Sequence, residues 1–293
     1  MSEPVRYIER SHAWYGALGY APYRYAHFAD VPFSPLRRPL AQARVALLTT
    51  AAPYRPELGE QGAGAPYNAA AKFHRVYTLD STVDHDLRVS HVAIDRAQIS
   101  DDSGTWFPLP ALRRALKRGR IGAIAPRVIG VPTNRSQRHT LEVDVPEVLA
   151  LCRADSVDAA LLVPNCPVCH QTMSLVAREL EAAGIATMIL GAAKDIVEHV
   201  GVPRLLFSDL PLGHAAGLPH DRDSQDFTLE MGLRVLEAAP AARTTVQSPL
   251  RWPGGDAWRQ AYLNPACLTA AELQAARSAH EQSLATARAL RQP

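Results

Sequence analysis

The sequence predicts an α/β protein, a mostly parallel sheet with flanking helices in a single main domain, carrying an irregular N-terminal arm and a C-terminal helix. Three observations lead there. Short apolar runs of strand length alternate with helical periodicity from about residue 108 onward. The run VDAALLV at 157–163 passes through a turn and an amphipathic helix to a second apolar run at 185–190, a βαβ unit that calls for parallel strands. No internal repeat and no low-complexity linker divides the chain.

Taken in order, residues 1–42 are rich in tyrosine, proline and arginine with little periodicity, which predicts an irregular arm or a short helix lying on the main domain. ARVALLTT at 43–50 is a short apolar run bounded by polar and proline-rich sequence, as a buried strand is. The next 45 residues or so are turn-rich and polar, and long loops of that kind inside a domain are often functional. Leu109, Leu112 and Leu116 mark a helix before a candidate strand IGAIA at 121–125. Val145, Val148, Leu149 and Cys152 share the face of another, followed by the strand at 157–163. Met173, Val176 and Leu180 define the helix after it, with Gly184 as its cap and IATMIL at 185–190 as the next strand. RLLF at 204–207 is a further strand candidate. Phe227, Met231 and Val235 recur at i, i+4, i+8 in a helix over 226–238. Thr269 and Glu272 have the spacing of a capping box for a terminal helix from about 270. The organisation expected is an arm over 1–42, a main domain over 43–240 and an extension over 241–293.

Composition excludes several classes of function. The 293 residues are 47% apolar and 20% charged, an ordinary globular balance. With 31 basic and 29 acidic residues the net charge is +2, and the arginines are scattered, so nucleic acid and anionic membrane surfaces are not expected partners. Lys72, Lys117 and Lys194 are the only lysines. No run of 18 apolar residues and no signal-peptide core occurs, which points to a cytoplasmic protein. Four cysteines are too few for a disulfide scaffold in a chain this long, so Cys166 and Cys169 invite a redox or metal reading.

The strongest chemical signal is the run from the 157–163 strand into Cys166-Pro167-Val168-Cys169-His170 and on into the helix. Ligands of open parallel sheets bind beyond the carboxyl ends of strands, where this turn puts Cys166. A thiol at a helix N-terminus meets unpaired N–H groups and the positive end of the dipole, so Cys166 is expected to titrate low. Cys169 is placed to resolve a disulfide or adduct at Cys166, and His170 to donate to the thiolate or act as acid. Two plainer readings are half a structural zinc site, against which the other two cysteines are single and distant, and a pair of buried structural cysteines. A thioredoxin fold is much shorter and places the motif near its start.

The stretch resembles the selenoprotein B family of amino-acid reductases acting on D-proline, glycine, sarcosine or betaine. That family has a V-D-A-V-hydrophobic strand leading into U-x-x-C, where U is selenocysteine, then a helix ending E-x-E-x-x-G-I-P. Cys166 falls on the selenocysteine position and Cys169 on its partner cysteine. A D-L-x-x-S/A-H-x-x-x-D stretch followed by F-P-L is matched by Asp86, Leu87, Ser90, His91 and Asp95, then Phe107-Pro108-Leu109. An F-P-L-G-x-x-x-G-x-P stretch is matched by Leu210-Pro211-Leu212-Gly213, Gly217 and Pro219. The resemblance spans roughly residues 40–240. It departs at RVIGVPTNRSQR (127–138), where a glycine-rich segment is expected and two arginines beyond Arg127 and an asparagine stand instead, so the substrate of the named enzymes does not carry over.

The resemblance implies a thiol oxidoreductase that reductively cleaves a C–X bond alpha to a carboxyl or carbonyl group. Cys166 is then nucleophile, Cys169 resolving thiol, and His91 and His170 acid or base. Asp86, Arg88, Ser90 and His214 are expected at the substrate, with Arg88 as anion-binding guanidinium. The plain alternative is that Asp86 pairs with Arg88 while His91 and His214 are satisfied core or loop histidines. Expected partners are a small-molecule substrate, a thioredoxin-like electron donor and a pyruvoyl-type subunit, with a homo-oligomer left open. No organic cofactor is implied, since no dinucleotide or P-loop glycine motif occurs. Two rival functions stand beside this one: a non-redox racemase- or lyase-like enzyme using Cys166 as base or nucleophile, and a metal-binding protein using Cys166, Cys169 and one or more of His85, His91, His170 and His214.

Overall fold

The computed structural model describes residues 3–65, 67–89, 91, 93–94 and 99–289. From the N-terminus come α1 (Tyr7–Ala17), β1 (Arg44–Thr49), β2 (Ala52–Pro53), β3 (Tyr77–Asp80), β4 (Leu87–Arg88), α2 (Leu109–Lys117), β5 (Ala123–Ile124) and β6 (Arg127–Gly130). The chain continues through a one-turn α3 (Gln137–His139), a π turn (Thr140–Asp144), α4 (Val145–Ala154), β7 (Ala159–Val163), α5 (Pro167–Ala182), β8 (Ala186–Gly191) and α6 (Lys194–Val200). It closes with β9 (Arg204–Phe207), α7 (Arg222–Ala238), β10 (Thr244–Gln247), α8 (Trp258–Ala261) and α9 (Ala270–Ala289).

Eight strands form one sheet in the order β10-β9-β8-β7-β1-β6-β3, with β5 also on β1, while β2 and β4 make a separate antiparallel pair. Every pairing in the large sheet is parallel except β3 with β6. The fold is therefore the mostly parallel α/β architecture that the βαβ pattern called for. From β1 the chain adds β5 and β6 on one side, then crosses back to lay β7, β8, β9 and β10 on the other. Such a reversal opens a crevice at the carboxyl ends of the two diverging strands, here β1 and β7.

Strand alternation divides the core in two. Val45, Leu47, Leu161 and Val163 face α2 and α7, while Ala46, Leu48, Ala160 and Leu162 face α4 and α5. Because helices cover both faces, these strands carry unbroken apolar runs, Val45–Leu48 and Ala159–Val163, which is what made them readable.

Several elements differ from the sequence expectation. The strand at 121–125 shrinks to Ala123–Ile124, and after Pro126 the chain resumes pairing with β1 as β6, so the first part of the segment that departs from the family pattern is sheet. The Pro126 carbonyl instead accepts the Ser81 N–H at 2.9 Å. Leu116 is 37% exposed, because α2 turns Ala111, Leu112 and Ala115 inward. Phe227 is 42% exposed, and α7 buries Leu229, Leu233 and Leu236 instead. Small Gly232 on that face lets the helix approach the sheet so closely that a Cβ there lies 2.8 Å from Leu190.

The N-terminal arm is tied to the sheet. Ser34 donates its N–H to Glu181, whose carboxylate pairs with Arg204 at 2.7 Å; Arg204 also donates to the Ser34 carbonyl at 2.8 Å. The arm carries a short helix, α1, as one of its expected forms. Thr269 and Glu272 form the capping box of α9: the Thr269 N–H donates to the Glu272 carboxylate at 2.7 Å and the Glu272 N–H to Thr269 Oγ1 at 3.3 Å. Among the described residues no helix is long and apolar enough to cross a membrane.

Candidate active site at the carboxyl end of the sheet

Two neighbouring strand ends are tied together before any reactive group appears. Asn165, just past β7, donates its backbone and side-chain N–H groups to Thr50 Oγ1, just past β1, at 3.2 Å each. Cys166 then caps α5 with extended backbone, and Pro167 fills the first helical position, where a missing N–H costs nothing. The Cys169 N–H points at Cys166 Sγ at 3.4 Å, and the two sulfurs lie 2.9 Å apart.

Three further contacts converge on Cys169. Its sulfur is 3.1 Å from Thr133 Oγ1 and 3.6 and 3.7 Å from His91 Nε2 and Nδ1. His91 Nε2 also lies 3.0 Å from the Thr50 carbonyl, which only accepts, so the Nε2–H donates there and Nδ1 is left to exchange a proton with Cys169.

Burial raises both thiols, but their neighbours divide them. For Cys169 the Cys166 S–H, the His91 ring and the Thr133 hydroxyl together outweigh burial and hold its pKa well below the ordinary thiol range. For Cys166 burial and the adjacent Cys169 push the pKa well up, with the Cys169 N–H and Lys72 opposing weakly. The first proton lost therefore belongs to Cys169. This corrects the expectation that Cys166 titrates low: the helix-cap geometry is present, but one N–H at 3.4 Å does not offset desolvation beside a thiolate. Access runs the other way, since Cys166 is 4% exposed and Cys169 is sealed.

Above Cys166 lies a cleft with about 30 Å³ of free space, enclosed by Tyr15, Tyr67, Lys72, His91, Thr133 and Arg135. Sequence reasoning singled out only His91 and Cys166 among these. Thr133 and Arg135 come from the loop after β6, within the segment noted for its departure from the family pattern. Lys72, one of three lysines in an arginine-rich chain, carried a faint signal, and Tyr15 none.

The remaining predicted site residues lie elsewhere. His170 is fully buried with its ring turned away from the sulfurs: Nδ1–H donates to the Cys166 carbonyl at 2.8 Å, and Nε2 accepts from Ala192 and Ala193 N–H at 3.0 and 3.1 Å. Burial pushes its pKa down to about 4, so it is a neutral brace between α5 and the end of β8 rather than an acid. Gly191 makes room for it, a Cβ there standing 3.2 Å from the ring. His214 is buried against Trp252, with ring centroids 4.7 Å apart, and burial lowers its pKa to about 4 as well.

Asp86 and Arg88 pair with each other, and the Arg88 guanidinium lies 4.3 Å over the Tyr54 ring. With His85, Asp101 and Trp106 they line a different cavity of about 330 Å³. His85 donates to the Asp80 carbonyl at 2.6 Å. Asp86 and Arg88, expected at the substrate, thus line a cavity other than the cleft at Cys166, and His85 lies with them. Ser90 and Asp95 lie outside the described residues. Of the histidines weighed as metal ligands, His91 is the one that converges on the thiols, with the donor atoms of His91, Cys166 and Cys169 all within 4.8 Å of one another.

Comparison with known proteins meets this geometry from the other direction. The chain is 30% identical over 222 residues to the D-proline reductase subunit gamma of Acetoanaerobium sticklandii, covering 75% of this chain and 89% of that protein. The chain belongs to the selenoprotein B family. It is also similar to the glycine reductase complex component B gamma subunits of Carboxydothermus hydrogenoformans (24% over 224 residues) and Symbiobacterium thermophilum (23% over 225 residues). It spans about half the length of those two proteins, 49% and 50%, and about three quarters of its own. No protein-family model and no solved structure matches it. Within the selenoprotein B motifs, the U-x-x-C position and the histidine of D-L-x-x-S-H meet in space, while the segment around Gly213 packs against Thr105, which donates to the Gly213 carbonyl at 3.1 Å.

Proposed function

We propose that this chain is the thiol-bearing subunit of a reductase that cleaves a C–X bond alpha to the carboxyl or carbonyl group of a small carboxylate or amino-acid-like substrate. The observation that carries the reading is a buried dithiol with sulfurs 2.9 Å apart, backed by His91 and Thr133 at the switch point of the sheet. Cys166, which faces the cleft, attacks the α-carbon. Its proton leaves with the departing group as HX, and a thioether forms. The Cys169 thiolate then attacks the Cys166 sulfur, the S–S bond forms, and the C–S electron pair passes to the α-carbon. The proton that His91 holds opposite Cys169 completes the new C–H bond. Two electrons have moved from the dithiol to carbon, and a thioredoxin-like donor restores the thiols.

A carbanion alpha to a carboxylate is a poor leaving group unless conjugated, which is the service a pyruvoyl-type partner subunit holding the substrate amine supplies. The relatives named as subunits of reductases support the need for a partner. A reducing cytoplasm would keep the pair in its active dithiol form.

The test is a single-turnover screen. Reduced protein, alone and with its partner, is mixed with a panel of α-substituted carboxylates, and the Cys166–Cys169 disulfide is counted by mass spectrometry. One disulfide per product molecule is expected for a substrate; product without disulfide overturns the redox reading. The convergence of His91, Cys166 and Cys169 also favours a metal reading. Elemental analysis of the purified protein separates it: stoichiometric zinc that blocks thiol oxidation supports it.

A further inference from the structure

We infer that Arg135 forms an anion subsite that fixes the carboxylate of the bound molecule beside Cys166. The inference rests on the reading that Cys166 faces the substrate, and it adds which residue selects the ligand and by what charge.

The backbone gives the first argument. Arg135 has φ of +56°, a left-handed conformation that glycine or asparagine adopts at lower cost than arginine. Its neighbours hold it there. Asn134 donates to the His74 carbonyl and to Asp144 at 3.4 Å each, and Ser136 caps α3, its Oγ accepting the His139 N–H at 3.2 Å. A residue reversed between two anchored neighbours cannot follow the helix it precedes. Its side chain is turned back instead, and the guanidinium lies 4.4 Å over the Tyr15 ring and 5.8 Å from that of Tyr23. Strained residues of this kind gather at functional sites, where the side chain is what the strain retains.

Charge gives the second. Several arginines of the chain are neutralised by carboxylates: Arg114 by Asp226, Arg120 by Glu230 and Glu237, Arg127 by Asp155, Arg259 by Asp209. Arg135 has no acidic partner among the described residues, and the described lining of the cleft includes no Asp or Glu. The aromatic wall orients the guanidinium without neutralising it. Its planar donor fork matches a carboxylate, and Arg88, the expected anion binder, is already neutralised by Asp86.

The cleft therefore favours a ligand whose carboxylate is not cancelled by a free ammonium group: an amino acid held through its amine as an imine, or an acid without an amine.

The test uses two alkylating agents of nearly equal size, anionic iodoacetate and neutral iodoacetamide. Their rates at Cys166 are read by peptide mass spectrometry in reduced protein. The subsite predicts an iodoacetate-to-iodoacetamide ratio about tenfold or more above that at exposed Cys267, falling with added salt. Arg135→Gln should bring the ratio to the Cys267 value, and Arg135→Lys should keep part of it. Cys166 that reacts with iodoacetamide but shows no charge preference, or a preference unchanged in Arg135→Gln, overturns the subsite and leaves the thiol reading standing. If Cys166 reacts with neither agent, the subsite is decided by saturation-transfer NMR. Binding of propionate but not propionamide, lost in Arg135→Gln, supports it; equal signals overturn it.

Discussion

Replacing Thr133 by valine removes one donor from the Cys169 sulfur while keeping the side chain's shape. The Thr133 hydroxyl sits 3.1 Å from that sulfur in a buried setting. A hydrogen bond to a charged group contributes about 1.5–3 kcal/mol, and about 1.4 kcal/mol is a factor of ten in an equilibrium. Losing the donor destabilises the thiolate and not the thiol, so Cys169 titrates higher in Thr133→Val. At any pH below that titration the thiolate population should fall by about ten- to a hundredfold. Ultraviolet thiolate absorbance followed against pH reads this directly, with Cys169→Ser as the assignment control. An unchanged first titration in Thr133→Val would refute the reasoning. So would a low-titrating thiolate that survives in Cys169→Ser, since it would then belong to Cys166.

Further outcomes follow from the same geometry. Mild oxidant should link Cys166 to Cys169, whose sulfurs need move less than 1 Å to bond, and dithiothreitol should reverse it; peptide mapping checks this. His91→Ala should slow the C–S cleavage that releases product by roughly 10²–10⁴-fold, measured by single-turnover kinetics, without preventing oxidant-driven disulfide formation. His170 and His214 are neutral when folded, with pKa values of about 4 against 6.5 when unfolded, so the unfolded chain binds more protons between those values. Stability should fall as pH drops from 6.5 toward 4, with Asp144, raised to about 6 by burial, working in the opposite sense; urea midpoints of His170→Gln and His214→Gln against pH should show a shallower fall. Arg204→Leu should destabilise by about 3–5 kcal/mol in urea unfolding by leaving Glu181 buried without its cation.

What the sequence made legible was what local pattern encodes. β1, β7, β8 and β9 stood out because helices cover both faces and their central positions are apolar. The Cys166–Cys169 turn was readable because a strand, a proline-started helix and two thiols at capping spacing are contiguous in the chain. β10 was not, since a polar edge strand such as Thr244–Gln247 has no apolar run to show. The buried face of α7 was misjudged because its closest contact is made by Gly232, and hydrophobic periodicity counts large side chains rather than small ones. Most of the site was out of reach for a different reason. Thr133, Arg135, Lys72 and Tyr15 meet Cys166 only through the crossing of β6 over β1 to β7 and the return of the arm across α5. His170 looked like an acid because of its place beside Cys169, yet neighbouring residues of a helix project about 100° apart. The Cys166 titration was misassigned because the helix terminus was visible in the sequence and the desolvation was not.

The account stands or falls on which sulfur bonds to substrate. For a carboxylate that the reduced protein turns over, Cys169→Ser should be mixed with it and the intact protein and its peptides weighed. The account predicts one covalent substrate adduct on Cys166 in Cys169→Ser, no turnover beyond that event, and no adduct at all in Cys166→Ser. Full multiple turnover by Cys169→Ser without added thiol would contradict it and favour the non-redox use of Cys166.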